Sequence, residues 1–256
     1  MQKHKKISGQ INEYILQTEG LTKKFPGVTA VSDVNMNIKR GETRGLIGPN
    51  GAGKSTLLHL LIGKEIPTCG EIVFNGENIT GKYINKIALK GMGIKFQITS
   101  IFTEQTVYDN LLISAQTKTN YYSLLRSSLT PKVSETIELI AEAVLLKEKL
   151  GIVASDLSYG EKQWLEIGMV LASGPELILL DEPTSGMSTE EAFRTGELIN
   201  KLKGKNTFVI VEHDIDFIKM VSDNITVLNQ GTILAEGTTK EVENNEKVKK
   251  VYLGED

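Results

Sequence analysis

The 256-residue sequence has one cysteine, Cys69, one tryptophan, Trp164, and no apolar run near the roughly 20 residues a membrane-spanning helix needs. A single cysteine excludes an internal disulfide and fits a reducing compartment. Stability must then come from a packed core, and a chain of this length buries on the order of 70% of its unfolded surface without a staple. Neither sign of charge dominates: 29 lysines and arginines stand against 32 aspartates and glutamates, a net charge of −3. That balance argues against a general nucleic-acid coat while leaving room for a local basic patch. The most apolar stretches, Leu57–Ile62 (broken by His59) and Leu177–Leu180, are short. The Lys3–Lys6 segment is basic and reads as a solvated tail, and Ile7–Gln17 alternates apolar and polar residues with no signal-peptide core. Together these features predict a protein kept in the cytoplasm, built as one α/β domain with an attached subdomain.

What is present is ordered by punctuation and period. Val34, Met36 and Ile38 alternate with Asn35, Asn37 and Lys39, which predicts a half-buried strand, followed by a turn at Arg40-Gly41-Glu42. Arg44–Ile47 leads into a glycine-rich loop, Lys54–Ile62 reads as a helix, and Glu71–Phe74 as a short strand before Asn75-Gly76. Glycine is then missing between Gly93 and Gly151, and Ile137, Ile140, Ala141, Val144 and Leu145 follow a helical period. This stretch, about 98–158, is expected to be a helical insert. A helix over Gly160–Ala172, a strand over Leu177–Leu180, a helix over Thr189–Leu202 and a strand over Thr207–Val211 follow. Such alternation predicts a parallel sheet covered by helices.

Three motifs carry chemistry. Gly48-Pro49-Asn50-Gly51-Ala52-Gly53-Lys54-Ser55-Thr56 fits the G-x-x-x-x-G-K-[ST] phosphate loop. Small residues let backbone N–H groups converge on a phosphate, and the following helix adds its positive N-terminus. Lys54 is expected to reach the β- and γ-phosphates and the Ser55 hydroxyl to ligate Mg²⁺. The second motif is the apolar run Leu177–Leu180 followed by Asp181-Glu182, two carboxylates at the C-terminal end of a buried strand, where α/β sheets bind ligands. Asp181 suits the Mg²⁺ shell and Glu182 the polarisation of an attacking water. The third is Leu157-Ser158-Tyr159-Gly160-Glu161-Lys162-Gln163, opening a helix about 20 residues earlier. Ser158 with Glu161 also satisfies an ordinary capping box, and the two readings are compatible.

This last motif resembles the L-S-G-G-Q signature of ATP-binding cassette (ABC) ATPases, with Tyr159 and Glu161 departing from it. The resemblance runs from about Tyr14 to Gly254. It implies a phosphate-loop core with a mostly parallel sheet, an N-terminal antiparallel β subdomain and an inserted α-helical subdomain. It also implies roles for single residues. Gln97 resembles the glutamine that reaches Mg²⁺ and senses the membrane partner, His213 the switch histidine near the γ-phosphate, and Phe25 the aromatic that stacks on adenine. Ser158 and Gly160 would complete the ATP site of a second subunit packed head to tail. The usual S-A-L-D of the D-loop reads Ser185-Gly186-Met187-Ser188 here.

Finer stretches resemble the ATPase subunits of importers for urea, amides and branched-chain amino acids: Phe25–Val31, Ile94–Gln97, the polar Lys118–Ser134, Val211–Asp214 and Val251–Gly254. Gln163–Met169 and Gly186-Met187 look most like the urea-importer subunit. The resemblance implies ATP and Mg²⁺ as cofactors and a second ABC ATPase subunit, two membrane permeases and, indirectly, an extracytoplasmic binding protein as partners. It places the chain at the cytoplasmic face of the membrane, with no nucleic-acid partner. Two rivals stand beside it: a non-transport ABC ATPase acting on DNA or the ribosome, and a phosphate-loop kinase or GTPase. Cys69, without a partner, is expected to be buried or inert, Trp164 to be packing, and His4 and His59 to lack ligand spacing.

Overall fold

The computed structural model describes residues 13–96, 100–116 and 131–253. Ten strands appear in chain order: β1 Tyr14–Phe25, β2 Val28–Lys39, β3 Thr43–Ile47, β4 Cys69–Phe74, β5 Glu77–Asn78, β6 Met92–Lys95, β7 Leu177–Asp181, β8 Thr207–Val211, β9 Asn224–Asn229 and β10 Thr232–Thr238. The α-helices among the described residues are α1 Lys54–Leu61, α2 Ile84–Leu89, α3 Val107–Ala115, α4 Pro131–Ala143, α5 Tyr159–Ala172, α6 Thr189–Leu202, α7 Ile215–Val221, α8 Thr239–Glu243 and α9 Glu246–Leu253, with short 3-10 turns at Lys147–Lys149 and Ala154–Asp156.

Two sheets organise the chain. The larger runs β10-β9-β3-β8-β7-β6; all its pairings are parallel except β10 with β9. The smaller is antiparallel, β2-β1-β4-β5. Every residue of β3, β7 and β8 is buried, as expected of strands covered on both faces. The pleat divides them between two cores. Leu177, Leu179, Val209 and Val211 join α1 and the inner face of the antiparallel sheet; Ile178, Leu180, Phe208 and Ile210 join the helical side. Val34, Met36 and Ile38 point into the first core, as their alternation predicts.

Within the expected helical insert, α3 and α4 pack against α5, closest at Gly168, where a Cβ would come within 3.0 Å of Leu111 of α3 and 3.2 Å of Val144, the residue after α4. The insert is thereby joined to the sheet through the signature helix. Two expectations are corrected. Leu145 is not on the buried stripe: α4 ends at Ala143, Leu145 turns to φ 60° and is exposed, and Leu146 takes the buried place. Cys69 is exposed at the start of β4 and not buried, because side chains alternate along the strand and Ile72 and Phe74 are its inward residues. Trp164 is packing, as expected, with its indole N–H donating to Thr195 Oγ1 at 2.9 Å. His4 and the Lys3–Lys6 run lie outside the described residues.

Candidate nucleotide site

The phosphate loop follows β3, whose neighbours β8 and β9 fix where it emerges. Gly53 ends the loop as the N-cap of α1 in the left-handed region, φ 102°, and supplies no side-chain cap. The first N–H groups of α1 are thus left without side-chain partners, and Lys54, Ser55 and Thr56 line a cleft of about 520 Å³. That is the donor array an anion requires. The loop cannot thicken: a Cβ on Gly48 would meet Leu228 O at 2.3 Å, and one on Gly53 would meet Ala30 O at 2.3 Å. Lys54 Nζ folds back to donate to Gly48 O at 2.7 Å and Pro49 O at 3.1 Å. Burial lowers the Lys54 pKa, and the Glu182 and Asp181 charges work against that shift.

The same cleft collects Asn50, Gly51, Ala52, Glu182 and His213 from separated parts of the chain. Glu182 follows β7 at φ 47°, a conformation that costs a non-glycine residue roughly 1 kcal/mol or more. Its N–H donates to Val211 O at 2.9 Å, tying the end of β7 to β8. His213 Nε2 lies 2.8 Å from Glu182 Oε1. A carboxylate only accepts, so Nε2 is the N–H donor of this pair. Asp181, the last residue of β7, is nearly buried. Burial raises its pKa first, the Glu182 charge raises it further, and Lys95 opposes both.

The residue types suit a cation: Ser55, on the cleft wall, offers a hydroxyl, and Asp181, next to the lining residue Glu182 but not itself on the wall, a carboxylate whose charge is held at a cost. Among the described residues no group of three His, Cys, Asp or Glu could hold a metal unaided, so Mg²⁺ would complete its shell from phosphates and water.

Five expected residues are not among those lining the cleft: Gly48 and Asp181, which adjoin it in sequence through Pro49-Asn50 and Glu182, and Phe25, Ser158 and Gly160. Phe25 ends β1 opposite Val28, a lining residue; its ring is exposed, with Lys23 Nζ 4.8 Å from its centroid. Ser158, exposed, is the N-cap of α5, and Gly160, buried, lies in its first turn; neither lines the cleft. Ser158 Oγ accepts from Glu161 N, and Glu161 Oε2 accepts from Ser158 N at 3.0 Å. Burial pushes the Glu161 carboxyl up, but its bonds to Lys149 and Ser158 prevail and hold it below the ordinary value. Gln97 lies outside the described residues.

Sequence reasoning missed several participants. Thr29, Ala30 and Gln230 also line the cleft, from β2 and the β9–β10 turn. Lys95 is buried in β6, 3.6 Å from Glu166 of α5, whose Oε1 accepts from Ser100 N at 2.9 Å. Burial lowers the Lys95 pKa and raises that of Glu166. Lysine inside an apolar strand was the visible signal. Glu212 carries no sequence signal beyond its place directly before His213.

Comparison with known proteins agrees with this geometry. The sequence profile of the ABC transporter family matches residues 31–185, and that of the branched-chain amino acid ATP-binding cassette transporter matches residues 232–256. The high-affinity branched-chain amino acid transport ATP-binding protein BraF of Pseudomonas aeruginosa is 38% identical over 94% of this chain and 98% of its own. The lipopolysaccharide export system ATP-binding protein LptB of Haemophilus influenzae is 35% identical over 94% and 98%. The ADP conformation of MJ1267, an ATP-binding cassette of an ABC transporter, superposes with a TM-score of 0.82 at 31% identity, covering 95% of this chain and 100% of that one.

Proposed function

The chain belongs to the ABC transporter family as one of its ATP-hydrolysing cassettes, and from that premise we propose that it drives uptake of branched-chain amino acids through separate membrane subunits. The observation that carries the reading is one cleft holding the phosphate loop, Glu182 and His213, on a chain whose residues 232–256 match the branched-chain cassette profile. Cassettes of this family form dimers and work with membrane permeases. Among the described residues no helix is long and apolar enough to cross a membrane, so the attachment we assign is peripheral, at the cytoplasmic face.

ATP with Mg²⁺, when bound, supplies the transferable phosphoryl group and the charge that makes it electrophilic. The loop amides and the N-terminus of α1 hold the phosphates, and Lys54 turns from the Gly48 and Pro49 carbonyls towards them. Ser55, Asp181 and Gln97 are assigned to the cation, and Phe25 to the adenine face. Glu182 accepts the proton of the attacking water, and His213 holds that carboxylate in place from 2.8 Å away. Ser158 and Gly160 stand off the cleft and serve the partner subunit's site.

The permease contact we assign to a cleft of about 570 Å³ between α2, β6 and α5, lined by Ile84, Leu89, Met92, Ile94 and Met169 and opening beside the strand that leads to Gln97. Its apolar walls suit a short helical segment of a membrane subunit, in the manner of helix-in-groove recognition.

A cassette does not touch its cargo, so the cargo is read from the partners. Urea or an amide is the other cargo that Gln163–Met169 and Gly186-Met187 bring into question. The test is reconstitution with the cognate permeases and binding protein in proteoliposomes. ATP-dependent accumulation of leucine, isoleucine or valine is the expected outcome. Accumulation of urea alone would reassign the cargo, and outward movement would overturn import.

A further inference from the structure

Glu212 is the last residue before His213 and follows directly on β8. Its carboxylate is almost fully buried and does not line the cleft. Three donors converge on it. Oε1 accepts from Thr184 N at 2.9 Å and from Thr184 Oγ1, and Oε2 accepts from His213 N at 3.1 Å. Thr184 lies two residues beyond Glu182 and His213 is the partner of Glu182, so one carboxylate grips the backbone on both sides of the Glu182–His213 pair. Glu182 itself occupies a left-handed conformation that L side chains rarely adopt, which a surrounding framework has to enforce.

The residue type fits that task. A carboxylate is acceptor-only and can receive all three donors, whereas an amide would turn an N–H group against one of them. Burying a charge is costly unless it is fully bonded, and an apolar residue would continue the core of β8 without that cost. We propose that Glu212 is a positioning residue for hydrolysis, holding Thr184 and the His213 backbone so that Glu182 and His213 stay in register. The inference rests on the reading of Glu182 given above. The negative charge of Glu212 also reaches Lys95 and Asp181, so loss of charge must be separated from loss of grip.

The test uses the full-length chain as isolated and as assembled with its permeases, in steady-state ATP hydrolysis and nucleotide binding. Glu212→Gln is expected to lower kcat roughly 10–100-fold, with KM for ATP and nucleotide affinity within about threefold of the unmodified chain. Thr184→Val keeps every charge and removes one donor; it is expected to lower kcat by a smaller factor, and the double variant to be no slower than Glu212→Gln. In a Glu182→Gln background, Glu212→Gln is expected to change residual turnover no further, since it acts through Glu182. Normal kcat in both single variants overturns the proposal, as does a fall in kcat matched by an equal fall in affinity. Should Glu212→Gln fail to fold, Thr184→Val decides alone, and an unchanged kcat overturns the proposal. Full turnover by Glu182→Gln would instead strike the assignment of Glu182 itself.

Discussion

Asp181 ends a strand whose other four residues are apolar and buried, and its carboxylate stays with them beside Glu182. Both surroundings raise its pKa above the ordinary aspartate value of 3.8. The folded protein therefore binds this proton more tightly than the unfolded chain does. The associated stability is fully present below about pH 3.8 and is lost as pH rises through the higher folded value. Asp181→Asn removes that loss. Its melting temperature without nucleotide is expected to exceed that of the unmodified chain at pH 7–8, with the gain shrinking towards pH 4. A gain that grows in acid, followed by differential scanning calorimetry, would contradict the sign. The neighbouring residues act on the substrate. Glu182→Gln is expected to bind ATP, to hydrolyse it at least about 100-fold more slowly, and to accumulate an ATP-bound dimer. Size-exclusion chromatography with ATP and a phosphate-release assay read this, and near-normal turnover removes the role. Lys54→Ala is expected to weaken nucleotide binding itself, measured by calorimetry. Such residues were legible because a phosphate loop and a carboxylate pair keep their chemistry in any context. Glu212, Lys95 and Glu166 were not, because a buried charge is defined by what surrounds it.

Among the elements, the N-termini of α5 and α6 meet where the chain departs from the family consensus. Ser158 caps α5 with Glu161, and Ser188 caps α6 with Glu191. Ser188, standing where the D-loop usually carries aspartate, caps α6, a role aspartate fills equally well. The caps touch: a Cβ on Gly160 would come within 2.2 Å of Glu191 Oε1, and one on Gly186 within 2.8 Å of the Tyr159 ring. Signature and D-loop are in contact within one chain. Gly160→Ala must displace Glu191 and loosen the Ser188 cap, at a cost of about 1 kcal/mol. A lower melting temperature together with weaker ATP-induced dimerisation is expected; a full-strength ATP dimer would show that this contact does not matter. The positions of α5, β7, α6 and β8 were legible from apolar period and capping residues, which are local signals. The end of α4 was not. Leu145 and Leu146 are equally apolar, and only the left-handed turn at Leu145 decides which one is buried.

At the scale of the molecule, the phosphate loop is wedged between the two sheets. Gly53 abuts Ala30 of β2, Gly231 N donates to Ala52 O at 2.9 Å, and Ser32 N donates to Gly231 O at 2.8 Å. The antiparallel sheet and the β9–β10 turn thus set the shape of a loop formed by neither. Ser158 and the buried Gly160 do not line the nucleotide cleft, and on the proposal that they serve a partner subunit's site, one chain carries two half-sites. The specific ATPase activity of the isolated chain is therefore expected to rise with protein concentration. A rate per chain that stays flat over a hundredfold dilution would mean that a single chain suffices.

The sequence by itself determined the chemistry. The phosphate loop, the acidic pair and the signature are contiguous, and a residue's type sets its donors, acceptors and charge wherever it lies. Only the tertiary structure decided that Glu182 and His213, 31 positions apart, stand 2.8 Å from one another, and that Thr29, Ala30 and Gln230 wall the same cleft. Those meetings follow from the β10-β9-β3-β8-β7-β6 strand order and from the seating of the antiparallel sheet on α1. Long-range packing of this kind has no period or spacing by which a sequence could announce it.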